Sequence, residues 1–478
     1  MVFILLGLHC FLALLCCGHL FLQAKRPTIQ SAWIFAIFIM PILGVLAYLV
    51  LGTDRLRLRR ERRRSQYRPR DDPRYAVDAT IDSVTFASGD VDAAGWLRAL
   101  DTINDFQPTT GNQLQPLLDA SSFYEALRHD IAQARKQICL CFYVWRDDRI
   151  GREFLQLLTA AVERGVDVRL LVDELGSGHT PDGIFSDFRQ AGGHYSWSTT
   201  INPRRNRWLI SLRNHRKICV IDGHTGYVGG MNIGAEYLDG HEGMQWNDAQ
   251  VRTRGPIVRQ LLCIYADDWH FATAEVMDPL IADDAEDEAP ADDRLQDLSM
   301  QMIAGGPDHE PSRTAQSIAA IVGMARQRIV LTTPYFVPDE GLLASLEIAI
   351  SRGVSIDLMV SAESDMGALL SISRSYYRRL LEAGVHITEY PKDIHHAKCI
   401  LVDDCWVMIG SVNLDVRSFH LNYENALLIR SEALHRTMEN YLKSNLQGAS
   451  AIQIADLDDR PIRVRLREGC YRLLAPML

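Results

Sequence analysis

The chain lacks a basic excess. Its 50 Lys and Arg against 60 Asp and Glu leave a formal net charge of −10, whereas a protein that replaces phosphate counterions on a nucleic acid carries the opposite balance. Three short signatures that would assign a chemistry at once are also missing. No C-x-x-C pair of metal-binding type occurs among the ten cysteines. No G-x-S-x-G turn presents a serine nucleophile, and no G-x-x-x-x-G-K-[ST] loop cradles nucleotide phosphates. Cys10, Cys16 and Cys17 lie in an apolar run, and Cys139, Cys141 and Cys219 lie in strand-like contexts. That usage reads as buried free thiols of a reducing compartment, not as a disulfide framework.

Formal charge is absent from residues 2–22, VFILLGLHCFLALLCCGHLFL, a run long enough to cross a bilayer as a helix. A cleaved signal peptide fits less well, because there is no basic n-region and no small-residue cleavage site, and a second apolar run follows at residues 31–51. Pro41 and Gly44 within that second run are tolerable in membrane helices. The sequence therefore predicts a two-helix transmembrane hairpin within residues 1–52. Only Lys25 and Arg26 occupy its connection, while Arg55, Arg57, Arg59, Arg60, Arg62, Arg63, Arg64, Arg68 and Arg70 follow the second run. The positive-inside bias then places both termini on the cytoplasmic side. The arginine block is at least a topological stop signal and is also suited to anionic headgroups.

With 478 residues the chain exceeds a single folding unit. Residues 53–111 read as a basic juxtamembrane segment and linker, with one short helix near Ala93–Asn104. An α/β rhythm follows: helix 122–135, strand 137–145, helix 151–164, strand 167–172, helix 182–190. It returns as helix 314–326, strand 328–335, helix 341–352, strand 355–360, helix 373–382. AVERGVDVRLLV at 161–172 matches AISRGVSIDLMV at 349–360, and QAGGHYSW at 190–197 parallels EAGVHITE at 382–389. We expect two homologous halves, residues 112–276 and 299–478, separated by an exposed acidic linker at 277–298.

The duplication is sharpest in its polar residues. His215, Lys217, Asp222, Gly229 and Asn232 recur 181 positions later as His396, Lys398, Asp403, Gly410 and Asn413. The residues between Lys and Asp are apolar and β-favouring, so the His and the Lys two positions on share one face of a strand. Two copies of one reactive pattern suggest one shared site. Paired histidines also suit zinc, but a Lys beside each would repel the cation, so no metal and no cofactor is expected. A phosphodiester fits better, because its anionic oxygens need donors and positive charge, which Lys217, Lys398, Asn232 and Asn413 supply. A neutral imidazole can then attack phosphorus while a protonated one gives a proton to the departing alkoxide. Asp248 and Glu424 are candidates for holding the far nitrogens of the imidazoles. Asp222 and Asp403 end their strands, where a structural role competes with direct chemistry.

The duplicated pattern resembles that of the phospholipase D superfamily, and nearly the full length resembles its bacterial cardiolipin synthases. The words that carry this are FYVWRDD at 142–148, NHRKICVIDG at 214–223, VGGMNIGAEY at 228–237, TTPYFVPDE at 332–340 and GSVNLDVRSFHLNYE at 410–424, together with the amino-terminal apolar pair. One departure is Asn247, where such enzymes tend to carry arginine. The resemblance implies an α/β fold of two phospholipase D-like α/β/α halves sharing one active site. It further implies ping-pong phosphatidyl transfer between two phosphatidylglycerol molecules at the bacterial inner membrane, releasing glycerol. His215, the favoured attacker, would form a phosphatidyl-histidine, and His396 would serve as acid and then base, although two near-equivalent motifs do not fix that choice. Hydrolysis of the same donor, or transfer to another alcohol or phospholipid, would use the same residues. A membrane-bound nuclease is disfavoured by the acidity and the apolar runs, and a non-catalytic scaffold by the integrity of both motifs.

Overall fold

A computed structural model of the chain describes residues 2–22, 27–40, 42–51, 66–198, 213–240, 244–280, 294–309, 311–364, 367–391, 393–446 and 448–474. The chain divides into two units, one of residues 1–65 with 200–211 and one formed by the rest.

The first unit contains helices α1 (Val2–Phe21), α2 (Pro27–Ile39) and α3 (Leu43–Leu51). Ala13, Cys16 and Leu20 pack with Ile37, Val45 and Tyr48, while Phe11, Leu14, Phe35 and Leu43 remain exposed. The second apolar run is thus two helices and not one continuous span, and among the described residues no helix is long and apolar enough to cross a membrane. Arg55 to Arg64 lie outside the described residues. Arg70 ion-pairs with Asp105 and Asp71.

The second unit is built on a mixed sheet whose strand order carries the duplication. In chain order its strands are β1 (Thr109–Leu117), β2 (Gln137–Phe142), β3 (Asp167–Val172), β4 (His194–Trp197), β5 (Ile218–Ile221), β6 (Thr225–Gly229) and β7 (Gln250–Arg254), then β8 (Leu295–Gly305), β9 (Arg328–Thr332), β10 (Ser355–Ser361), β11 (His386–Tyr390), β12 (Cys399–Val402), β13 (Trp406–Gly410) and β14 (Asn422–Arg430). Read outward from the centre, one half runs β1-β7-β6-β5-β2-β3-β4 and the other β8-β14-β13-β12-β9-β10-β11. The halves join through the antiparallel pair β1 and β8, so a pseudo-two-fold axis passes between those strands. Nearly unbroken burial of β2, β5, β9 and β12 explains their continuous apolar runs, since helices cover both faces of the sheet.

The repeated words fall on equivalent corners. Helix α5 (Arg149–Glu163) meets β3 through Gly165 at φ +90°, and helix α8 (Glu340–Ser351) meets β10 through Gly353 at φ +89°. Glycine adopts that left-handed corner without steric cost. Helix α4 (Val91–Ile103) departs from expectation, because it is not part of a linker. Its Ala93, Ala94, Leu97 and Leu100 are buried with Ile318, Ile321 and Met324 of helix α7 (Arg313–Met324), and Phe86 meets Trp406 edge-on at 5.1 Å. A segment preceding the first half therefore completes the core of the second. Within the expected acidic linker Met277 is buried and β8 has begun by Leu295, while residues 281–293 lie outside the described residues. Strand β1 starts at Thr109, three residues before the expected start of the first half at 112, and the strand from Gln137 ends at Phe142, short of the expected 145.

Candidate active site

Both His-x-Lys segments lead into the central antiparallel strands, β5 and β12, on either side of the pseudo-two-fold axis. Backbone pairing crosses that axis. Arg213–Asn214 runs parallel to Asn422–Tyr423, and Ile394–His395 runs parallel to Trp246–Asn247. The His215 amide donates to the Tyr423 carbonyl at 2.9 Å, and the His396 amide donates to the Asn247 carbonyl at 2.6 Å. Asn247, the departure from the family pattern, thus makes this contact with its backbone, which any residue type provides.

The side chains cross in the same way. His215 Nδ1 lies 3.0 Å from Glu424 Oε2, and His396 Nδ1 lies 2.6 Å from Asp248 Oδ2. Each half supplies the carboxylate for the other half's imidazole. With Nδ1 turned to a carboxylate, Nε2 is the nitrogen left for chemistry. Lys217 Nζ donates to the His215 carbonyl at 2.7 Å and sits 5.2 Å from the Tyr143 ring centroid. Lys398 Nζ donates to the His396 carbonyl and lies 2.7 Å from His396 Nδ1 and 3.5 Å from Asp248 Oδ2. Lys217 and Glu424 are 0% exposed and His215 8%, so the cluster is almost dry.

Burial dominates the titration of the cluster. It pushes His215 down to about 4, with Glu424 opposing and Lys217 assisting the fall. His396 falls to about 4 through burial and Lys398, against Asp248. Burial also lowers Lys217 to about 7 and depresses Lys398. Burial alone would raise both carboxylates, but Lys398 and His396 hold Asp248 below its ordinary range, and His215 and Lys217 do the same for Glu424. Burial of both imidazoles therefore favours their neutral forms at pH 7. An anionic phosphodiester placed between them favours protonation of one, which yields the base and acid pair that phosphoryl transfer requires.

The other expected site residues divide. Asn413 is buried, and its carboxamide oxygen has no partner among the described residues. Asn232 accepts from the Val144 amide at 3.0 Å and donates to the Tyr237 hydroxyl at 2.9 Å, which leaves one N–H for a ligand. Asp222 and Asp403, expected among the catalytic residues, do not join the cluster. They sit in the left-handed region at φ +49° and +50°, beyond the ends of β5 and β12 opposite to the imidazoles. Asp222 accepts the amides of Arg135, Lys136 and Gln137, and Asp403 those of Arg326, Gln327 and Arg328. Their carboxylates tie the turn after the motif to the start of the neighbouring strand.

Several further residues of the site are not singled out by the repeated spacing. Ser411 donates to Glu424, and Asn422 donates to its Oε1 at 3.2 Å. Gly230 stands at the Ser411 position of the first half, where a Cβ would lie 2.3 Å from Asp248 Oδ1. Tyr143 and Trp246 flank His215 and His396, each with ring centroids 4.8 Å apart. Arg216 spans both halves: it pairs with buried Asp268 at 2.7 Å and donates to the carbonyls of Glu424 at 3.2 Å and Gly305 at 3.1 Å. The intervals between repeated residues revealed the reactive positions, but partners drawn from unrelated intervals appear only once the halves are packed together.

The domain family described as "Cardiolipin synthase, PLD-like domain" matches residues 127–269 and 318–446, and "Phospholipase_D-nuclease N-terminal" matches residues 11–52. The chain is 32% identical to the cardiolipin synthase of Geobacillus kaustophilus over 99% of this chain and 94% of that protein. It is 30% identical to the major cardiolipin synthase of Bacillus subtilis, with 99% of each chain covered. The phosphatidylserine synthase of Haemophilus influenzae shares the fold, with a TM-score of 0.62 at 18% identity over 80% of this chain and 99% of that one. Two matched domains lie on the two halves of the sheet and relatives align over nearly the whole length, so the chain belongs to the cardiolipin synthase family of phospholipase D-like proteins.

Proposed function

We propose that this chain is a phosphatidyltransferase that joins two phosphatidylglycerol molecules into cardiolipin and releases glycerol. The observation that carries this reading is the pair of buried imidazoles from two repeats, each held by the other repeat's carboxylate and accompanied by a lysine. In the first step one imidazole Nε2 attacks the phosphorus of phosphatidylglycerol, and the other gives its proton to the departing glycerol oxygen. A P–N bond forms as a P–O bond breaks. Lys217 and Lys398, with Asn413 and the free N–H of Asn232, offer charge and donors to the non-bridging oxygens.

In the second step the imidazole that lost its proton takes one from the terminal hydroxyl of a second phosphatidylglycerol. The new oxygen attacks phosphorus, the P–N bond breaks, and cardiolipin leaves. One phosphodiester replaces another, so little free energy is released and the outcome depends on keeping water from the intermediate. The near-complete burial of the cluster serves that requirement.

Membrane placement is supported by the sequence and by exposed apolar side chains. We infer that residues 2–51 form the lipid-embedded hairpin of an integral protein of the bacterial inner membrane, with the catalytic halves on the cytoplasmic side. The uncharged first run, the arginines after the second run, and the exposed Phe11, Leu14, Phe35 and Leu43 support this. The net charge of −10 accords with lipid substrates and not nucleic acid.

The test is to give the detergent-purified chain phosphatidylglycerol alone, without added metal, and to follow cardiolipin and glycerol by mass spectrometry. His215→Ala and His396→Ala run in parallel. Equal release of both products, abolished in each variant, is expected. Accumulation of phosphatidic acid without cardiolipin would replace this reading by a hydrolase or by transfer to a different acceptor.

A further inference from the structure

The last described helix, Ile462–Leu474, carries a pattern that its packing does not explain. Residues 460–474 hold five arginines against one glutamate, in a chain whose formal net charge is −10. At 3.6 residues per turn, Val464, Glu468 and Tyr471 share one face, and that face is turned inward. Glu468 is buried and pairs with Arg460 at 3.1 Å, and Tyr471 packs with Leu369 and Tyr376 against Val337 and Ile372. The opposite face is apolar. Ile462, Leu466 and Cys470, spaced four apart, point away from the protein, with Ile462 68% exposed, Leu466 62% exposed and the Cys470 thiol accessible.

Arginines line both edges of this stripe. By helical spacing Arg463 and Arg467 fall on one side of it and Arg465 and Arg472 on the other, all four exposed. The Arg472 guanidinium lies 5.9 Å from the Tyr376 ring centroid, whereas Arg463, Arg465 and Arg467 have no ion-pair partner among the described residues. Two of the three carboxylates just before the helix are engaged elsewhere: Asp458 pairs with Arg378, and Asp456 accepts the Gln453 amide at 2.7 Å. The third, Asp459, is exposed. The position of the helix also matters. Val337, in its packing cluster, belongs to Phe336–Val337, which pairs with Leu414–Asp415 directly after Asn413 of the site. One layer of packing thus joins the helix to the segment that presents Asn413.

We propose that the helix Ile462–Leu474 is an interfacial helix that lays its Ile462, Leu466 and Cys470 stripe into the surface of an anionic bilayer. Apolar side chains left in water add nothing to the fold, but they gain by leaving water for the acyl boundary. The flanking arginines then lie at headgroup depth, where lipid phosphates supply the partners that the protein does not. A second copy of the chain fits this face less well, because a two-fold contact would set the same arginines against one another. Seated on the bilayer in this way, the second half holds the Asn413 segment close to the surface from which its lipids come. The inference shares with the function proposed above only the membrane as the source of substrate, and its test reads bilayer contact without turnover.

The experiment places a nitroxide on Cys470 of the full chain, with Cys10→Ser and Cys405→Ser removing the other thiols that are not buried. Collisions of the label with oxygen, which partitions into lipid, and with a water-soluble nickel chelate are measured in two kinds of vesicle. One contains phosphatidylcholine with phosphatidylserine, an anionic lipid other than the proposed donor, and the other phosphatidylcholine alone. The oxygen-to-nickel ratio should be several-fold higher in the anionic vesicles, and should return to the neutral-vesicle value in the triple variant Arg463→Gln/Arg465→Gln/Arg467→Gln and in Leu466→Glu. These side chains are exposed, so the variants keep the fold, which circular dichroism checks. A ratio that is the same in both vesicles, or that the substitutions leave unchanged, would overturn the proposal. Spin–spin broadening between labels with nickel excluded would also overturn it, by showing a second copy of the chain on this face.

Discussion

Glu424 and Asp248 differ by one methylene, and their neighbours differ to match. Opposite the longer side chain, Ser411 supplies a hydroxyl that fixes the carboxylate; opposite the shorter one, Gly230 leaves the space the carboxylate occupies. Both arrangements hold an imidazole in the tautomer that leaves Nε2 free to attack or, once protonated, to donate. Glu424→Gln keeps the shape but can offer its amide N–H to Nδ1, which stabilises the wrong tautomer. We expect single-turnover glycerol release to slow by roughly 10³–10⁴-fold with little change in KM, by analogy with the carboxylate of a serine-protease triad. Gly230→Ala tests the other half. The added methyl meets a carboxylate oxygen 2.3 Å away, so Asp248 must move and turnover should fall nearly as far as in Asp248→Asn. Wild-type turnover in Gly230→Ala would show that Asp248 does not need this position.

At the scale of elements, the turns ending β5 and β12 explain the recurrence of Asp222 and Asp403 with the reactive residues. Each carboxylate accepts three consecutive backbone amides and so fixes the strand that starts beside it, which in turn sets the His-x-Lys segment against the opposite half. Asp403→Ala leaves those amides without an acceptor, at a cost of about 1–3 kcal/mol. Thermal unfolding should shift downward, while turnover per folded molecule should fall far less than in His396→Ala; equal losses would return Asp403 to the chemistry. The period of the apolar residues made β3, β10 and the helices before them legible, because a strand or helix declares its buried face locally. It did not reveal what that face meets. Leu97 and Leu100 announce a buried stripe on α4 but not that the partner is α7, more than two hundred residues away. The crossed carboxylates were hidden for the same reason: Asp248 and Glu424 follow their own motifs in sequence, and only the packing of the halves gives each to the other.

At the scale of the whole molecule, enclosing two imidazoles, two lysines and two carboxylates links stability to pH. His215 and His396 titrate at about 4 in the folded chain and near 6.5 when unfolded. Between those values the unfolded chain binds more protons, so stability falls as pH drops from about 6.5 toward 4. Asp248 and Glu424, held below their ordinary values, contribute stability above the carboxylate range that is lost as pH falls through their folded values. Lys217, lowered to about 7, acts with the same sign at higher pH: the unfolded chain holds the extra proton between about 7 and its ordinary value, so stability rises across that window. The groups therefore reinforce one another, and the net slope is positive from acid to mild alkali. We expect the unfolding temperature of the detergent-solubilised chain to rise between pH 5 and pH 7 and the curve to flatten in that interval for the His215→Gln/His396→Gln double variant. Between pH 7 and pH 9 the two proteins should keep similar slopes, because the lysine contribution survives the substitution. Parallel curves at every pH would mean that the imidazoles are already charged before substrate binds, and the phosphodiester would then meet a proton donor formed in advance instead of creating one on binding.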